Sequence, residues 1–172
     1  MNDRAALARF NALPPEAAER ELLDCCGAWR WARRLAAARP YAGAGELAET
    51  AERAFAELEP LDWMEAFAAH PRIGDAARAG AQSARGESWS AGEQAGVRGA
   101  DESLRAALAA GNRDYEAKFG YTFIVCATGR SGEEMLAELE RRLGHEPERE
   151  LETAAAEQRR ITQLRLGRLF GR

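Results

Sequence analysis

Hydrophobic residues recur along this chain at helical spacing almost throughout. Leu47, Ala51, Ala54, Phe55 and Leu58 fall at steps of three and four, which puts them on one face of a helix from about Gly45 to Leu58. Leu61, Met64, Phe67 and Ala68 repeat the pattern on a shorter helix. It must end near His70, because Pro71 disfavours helical geometry in the residue before it. Upstream, Pro14-Pro15 opens a helix that runs to about Cys26 and stops at Gly27, and a second helix covers about Ala28 to Ala38, before Arg39-Pro40. From Arg72 to Trp89 the periodicity fails, and small polar residues predict a long loop. A helix is expected to resume after Ser90 and run past Val97, Leu104 and Leu108 to Gly111. Ser131 and Glu134 have capping-box spacing and open a helix that stops at Gly144. A last helix, about Glu148 to Leu169, carries Leu151, Ala154, Ala155, Ile161, Leu164 and Leu166.

One stretch breaks the theme. Tyr121-Thr122-Phe123-Ile124-Val125-Cys126-Ala127 is β-branched and aromatic, and predicts an extended segment. No second segment is available to pair with it. Its main-chain groups therefore need side chains, water, or a ligand rich in amides. The expected fold is all-α: a single compact domain over residues 1–172, of about seven to nine helices, with one extended segment at about 121–127 lining a site.

Composition narrows the function classes. A chain of 172 residues supports one domain with a proper core. A net charge of −4 argues against nucleic-acid binding, which needs a basic surface, and Arg30, Arg33 and Arg34 read as a solvated helix face. No run of about 18 apolar residues is present, so no membrane span is expected. Met1 to Phe10 lacks the apolar stretch of a signal peptide, and Cys25, Cys26 and Cys126 do not make a disulfide framework. The expected location is the cytoplasm. The two histidines, His70 and His145, are not at ligand spacing from another histidine or a cysteine, so no metal site is expected.

Three segments can carry chemistry. His70-Pro71-Arg72-Ile73-Gly74-Asp75 sets an imidazole, the side chain best suited to proton transfer near neutrality, at a helix end. It reads equally well as a helix cap. Ser90 to Gly96 contains Ser90 and Glu93 at capping-box spacing, and the same helix start could bind an anion or imide through its N–H groups. Gln94 adds an amide that donates and accepts in one plane. Asn112 to Gly120, with Tyr115 and Phe119, leads into the extended run and Thr128-Gly129-Arg130.

Together, the His-Pro-x-x-Gly, Ser-x-x-Glu-Gln-x-Gly and Tyr115 to Arg130 segments resemble the 2-oxo-4-hydroxy-4-carboxy-5-ureidoimidazoline (OHCU) decarboxylases of the ureide pathway. The resemblance covers nearly the whole chain. It implies a compact all-helical homodimer, without metal or organic cofactor, acting on a small ureidoimidazoline made from urate. It places the catalytic histidine at His70, with Pro71 against the substrate. Ser90, Glu93 and Gln94 fall on the ligand-binding helix start, and Phe123, Ile124, Val125, Cys126 and Ala127 on the segment whose main chain meets the ureide groups. A family arginine falls on Arg165, with Arg159, Arg160 and Arg168 nearby. The implied reaction is loss of CO2 to give (S)-allantoin, with Glu93 positioning His70. The residues by themselves leave two alternatives open: a catalytically silent helical module, and a hydrolase of a neighbouring ureide.

Overall fold

In the computed structural model, which describes residues 3–74 and 83–171, nine α-helices carry the chain, and no strand forms among the described residues. They group into two compact units, residues 1–66 with 159–172, and residues 67–158. No helix among the described residues is long and apolar enough to cross a membrane.

The first unit holds α1 (Asp3–Asn11), α2 (Pro15–Leu23), α3 (Trp29–Ala37), α4 (Ala44–Ala56), most of α5 (Pro60–Ala68), and the end of α9 (Pro147–Phe170). The sequence reading omitted α1, although Ala6, Leu7 and Phe10, all buried, have helical spacing. Trp31 stacks on Phe55 at 5.3 Å, and Phe55 on Trp63 at 5.7 Å, between ring centroids. The Trp31 indole N–H donates to the Ala51 carbonyl, so the buried ring leaves no unpaired donor.

The second unit corrects the sequence reading twice. The expected loop from Arg72 to Trp89 gives way at Ala84 to a helix, α6 (Ala84–Glu93), capped by Ser83, whose hydroxyl accepts from the Gly86 N–H. The poor helix formers Gly86, Ser88, Ser90 and Gly92 had masked it. Residues 75–82 of that expected loop, Asp75 of the histidine motif among them, lie outside the described residues. The single helix expected from Ser90 to Gly111 is instead the end of α6, a 3-10 turn at Ala95–Val97, and α7 (Glu102–Phe119). Asp101 caps α7 by accepting the Leu104 N–H at 2.8 Å, and Gly120 closes it with φ 81°, in the left-handed region that favours glycine.

The capping box at Ser131 and Glu134 forms as expected and opens α8 (Gly132–Arg142). Tyr115, Phe123, Val125, Ala127, Met135 and Leu139 belong to the core of this unit. Helix α9 spans the expected range, and Ala154, Ile161 and Leu166 of its expected apolar face are buried. Leu164 is 41% exposed, and Leu151 and Ala155 are only partly buried. The buried face also carries Glu150, Glu157, Gln158, Thr162 and Arg165, polar side chains interleaved with Ala154, Ile161, Leu166, Leu169 and Phe170.

Candidate active site

His70 lies one residue beyond Ala69, which follows the last residue of α5, Ala68, and its N–H still bonds back to the Phe67 carbonyl at 3.0 Å. Pro71 then turns the chain out of the helix. Gly74 takes φ 82°, and its N–H donates to the Gln94 side-chain oxygen at 3.1 Å. This bond joins the histidine motif to the glutamine motif across 20 residues. From behind, the loop is held by Asn112 of α7, whose amide donates to the Ile73 carbonyl at 2.9 Å, and by Arg72, which pairs with Glu116.

Ser90 and Glu93 are buried, but they sit in the last turns of α6, not at a helix start. The capping box expected between them is therefore not formed. Helix carbonyls end here: the Gln94 N–H donates to the Ser90 carbonyl, and Arg98 to the Ala91 carbonyl at 2.8 Å. An anion site built from outward-pointing N–H groups is excluded at this position, because a helix C-terminus presents the opposite partial charge.

Residues 122–127 run without helix, turn or bend. Phe123, Val125 and Ala127 pack into the core of the unit, and Ile124 and Cys126 alternate with them, as period-two geometry requires. Two main-chain groups that lacked a sheet partner have found charged ones. Arg142 donates through Nη1 to the Ile124 carbonyl at 2.8 Å, and the Cys126 N–H donates to Glu157 Oε2 at 2.7 Å. Arg142 is itself held by Glu150 through Nε at 2.8 Å, and Glu150 also accepts from the Tyr115 hydroxyl and from His145 Nδ1 at 2.7 Å. Arg130 approaches Glu157 at 3.9 Å. Burial first, then the Glu157 carboxylate and more weakly Glu93, push the Cys126 thiol above the ordinary range, against the Thr128 main chain and Arg130. Glu93 and Glu157 thus act on the same stretch of chain.

The Gly74–Gln94 bond links the histidine loop to the end of α6, and His70, Pro71, Ser90, Glu93, Gln94 and the 123–127 segment all belong to the second unit. Arg165 belongs to the first unit; it is buried, and its Nη1 donates to the Asp24 carbonyl at 2.9 Å. Glu157 and Arg142 were missed as functional candidates. A signal for Glu157 existed, since a charged residue lies three positions after Ala154 and four before Ile161, on the stripe that helix α9 buries. Among the described residues no three His, Cys, Asp or Glu side chains cluster closely enough to hold a metal ion. A cavity of about 720 Å³ beside Phe55, Leu166 and Phe170 is mainly apolar and contains none of the candidate residues.

The sequence pattern of the OHCU decarboxylases matches residues 11–167. The chain belongs to the OHCU decarboxylase family. A crystal structure of an OHCU decarboxylase in the presence of (S)-allantoin has 35% sequence identity to this member, with a TM-score of 0.75, covering 89% of this chain and 99% of that one. The 2-oxo-4-hydroxy-4-carboxy-5-ureidoimidazoline decarboxylase of Amia calva is 35% identical over 130 residues, 74% of this chain and 73% of its own. The uric acid degradation bifunctional protein TTL of Arabidopsis thaliana is 34% identical over 155 residues, 90% of this chain. The chain spans about half, 48%, of that plant protein's length.

Proposed function

We propose that this family member decarboxylates OHCU to (S)-allantoin and CO2 in urate degradation, with no metal or organic cofactor. The observation that carries the reading is the Gly74–Gln94 hydrogen bond, which ties the histidine loop to the end of α6 within one unit that also holds the 123–127 segment. The substrate bears its carboxylate on a ring carbon next to an imine-like carbon. When the carbon–carboxylate bond breaks, CO2 leaves and the electron pair delocalises into that neighbour, so the electron sink is the substrate's own. The protein has to orient the carboxylate out of the ring plane, steady the developing charge and protonate one face.

In this reading His70 handles the hydroxyl and the proton, and a single-faced donor sets the S hand. Glu93 positions His70 and the ring. Pro71, Ser90 and Gln94 contact the substrate, and the Phe123 to Ala127 segment pairs with its ureide through the main-chain groups on the edge away from Arg142 and Glu157, the side chains of Phe123, Ile124, Val125 and Ala127 being buried in packing. Arg165 is kept as the third catalytic residue on the resemblance. Both units form one functional domain, which is supported by a family pattern running through both. The protein is further proposed to be a cytoplasmic homodimer, its assembly to be read by light scattering on a sizing column.

The test supplies freshly generated substrate from urate and follows CO2 release together with the circular-dichroism signal of (S)-allantoin. Wild type should accelerate both. His70→Asn should abolish the acceleration while keeping the helical signal. Near-normal turnover by that folded variant removes His70 from the mechanism, and no CO2 release by wild type removes the decarboxylase reading and leaves the silent helical module and the hydrolase of a neighbouring ureide.

A further inference from the structure

We infer that Glu157 and Arg142 are positioning residues for the reaction, two buried ionic side chains that hold the 123–127 segment from one edge and so fix its other edge for the substrate; this rests on the function proposed above. In an extended chain, residues i and i+2 direct their main-chain groups to the same edge, and residue i+1 to the opposite one. The Ile124 carbonyl and the Cys126 N–H therefore share an edge. A neighbouring strand would offer one donor and one acceptor at that spacing. Here the Arg142 guanidinium is the donor, at 2.8 Å, and the Glu157 carboxylate the acceptor, at 2.7 Å. The main-chain groups of Phe123, Val125 and Ala127 lie on the other edge.

Stability alone is a poor account of this arrangement. Arg142 is fully buried and Glu157 is 6% exposed, and removing such ions from water costs more than a neutral partner would. Charge gives stiffness instead. Hydrogen bonds to ionised groups are shorter and roughly twice as strong as neutral ones, and each ion is itself restrained. Arg142 is bound to Glu150 and lies 4.7 Å from the Phe123 ring centroid, while Glu157 faces Arg130. A reacting group displaced by about 1 Å can cost about a hundredfold in rate, so a fixed edge has catalytic value.

The experiment uses the whole protein and measures KM and kcat on generated substrate, together with the dissociation constant of (S)-allantoin by calorimetry, well below the melting temperature. Glu157→Ala deletes the acceptor and should raise KM and the allantoin constant about tenfold or more, with a smaller change in kcat. Glu157→Gln keeps an oxygen for the Cys126 N–H and should return both to within about threefold of wild type, as a hydrogen-bond role requires. Arg142→Lys keeps the charge but not the fork that reaches Glu150 and Ile124 together, and should raise KM. Should the alanine variant fail to fold, Glu157→Met against Glu157→Gln makes the same comparison. A purely structural role lowers the melting temperature and the active fraction but leaves KM unchanged. Active wild type with KM unmoved in a folded Glu157→Ala or Glu157→Met overturns the inference alone; wild type that neither turns over nor binds (S)-allantoin overturns the proposed function and the inference with it.

Discussion

Loss of Glu150 should destabilise this fold strongly. Its carboxylate is wholly buried and accepts from Arg142, Tyr115 and His145 at once. Glu150→Ala leaves the Arg142 guanidinium buried with no counter-ion, a change worth about 3–5 kcal/mol. For a chain of this length that is a fall of about 6–20 °C in melting temperature. Glu150→Gln keeps the shape and can still accept from Arg142. Its amide, however, then meets His145 Nδ1, and because His145 Nε2 lies 3.0 Å from the Arg141 guanidinium, a donor, the ring proton belongs on Nδ1. Two donors face each other, at a cost of about 1–3 kcal/mol. The double change Arg142→Met with Glu150→Leu removes both ions and should be milder than Glu150→Ala alone, since no unpaired charge remains. Thermal and urea unfolding followed at 222 nm give the order. A double variant as unstable as Glu150→Ala, or a Glu150→Ala within about 1 kcal/mol of wild type, would refute the reasoning.

Two glycines test packing of opposite kinds. A Cβ on Gly96 would lie 2.0 Å from the Arg130 carbonyl oxygen, which cannot move without shifting main chain, so Gly96→Ala should lose about 2–4 kcal/mol in a denaturant titration. A Cβ on Gly111 meets the end of the Leu139 side chain at 2.3 Å, which can rotate, and alanine returns about 1 kcal/mol of helix propensity, so Gly111→Ala should be clearly milder. Cys126 should alkylate slowly at pH 8, because its raised pKa keeps the thiolate scarce there. Glu157→Gln removes a negative neighbour, lowers that pKa and should speed labelling at fixed pH, measured by mass spectrometry on the intact protein.

Where hydrophobicity and burial coincide, the sequence was legible. Helix α4 was expected at Gly45 to Leu58 and spans Ala44–Ala56, and the Ser131 capping box opens α8 where its spacing predicts. The misreadings share a cause. In α6, Gly86, Ser88, Ser90 and Gly92 give no helical stripe, because the side chains it buries, Ser90 and Glu93, are polar. In α9 the apolar pattern leads to Ala154, Ile161 and Leu166, which are buried, but the polar side chains buried beside them, Glu150, Glu157, Gln158, Thr162 and Arg165, are invisible to a search for apolar residues. The unpaired 121–127 run was legible as a singularity, but its partners, Arg142 and Glu157, lie 18 and 31 residues along the chain from the atoms they hold. Local patterns report neighbours three or four residues away, and long-range ionic contacts leave no such trace.

The two charges on the 123–127 segment also bear on what happens when the protein is heated. Tyr121 to Ala127 is seven residues of high β-propensity with no charge and no proline, the composition from which cross-β fibrils nucleate. In the native state it is harmless: four of its side chains are buried, and the guanidinium and the carboxylate occupy one of the edges along which another copy would pair. Loss of either ion strips that protection before the rest of the chain has melted. Thermal damage in this protein should therefore be precipitation seeded at one heptapeptide, and a lysine at Thr122, the residue of the run next to Phe123, should delay turbidity.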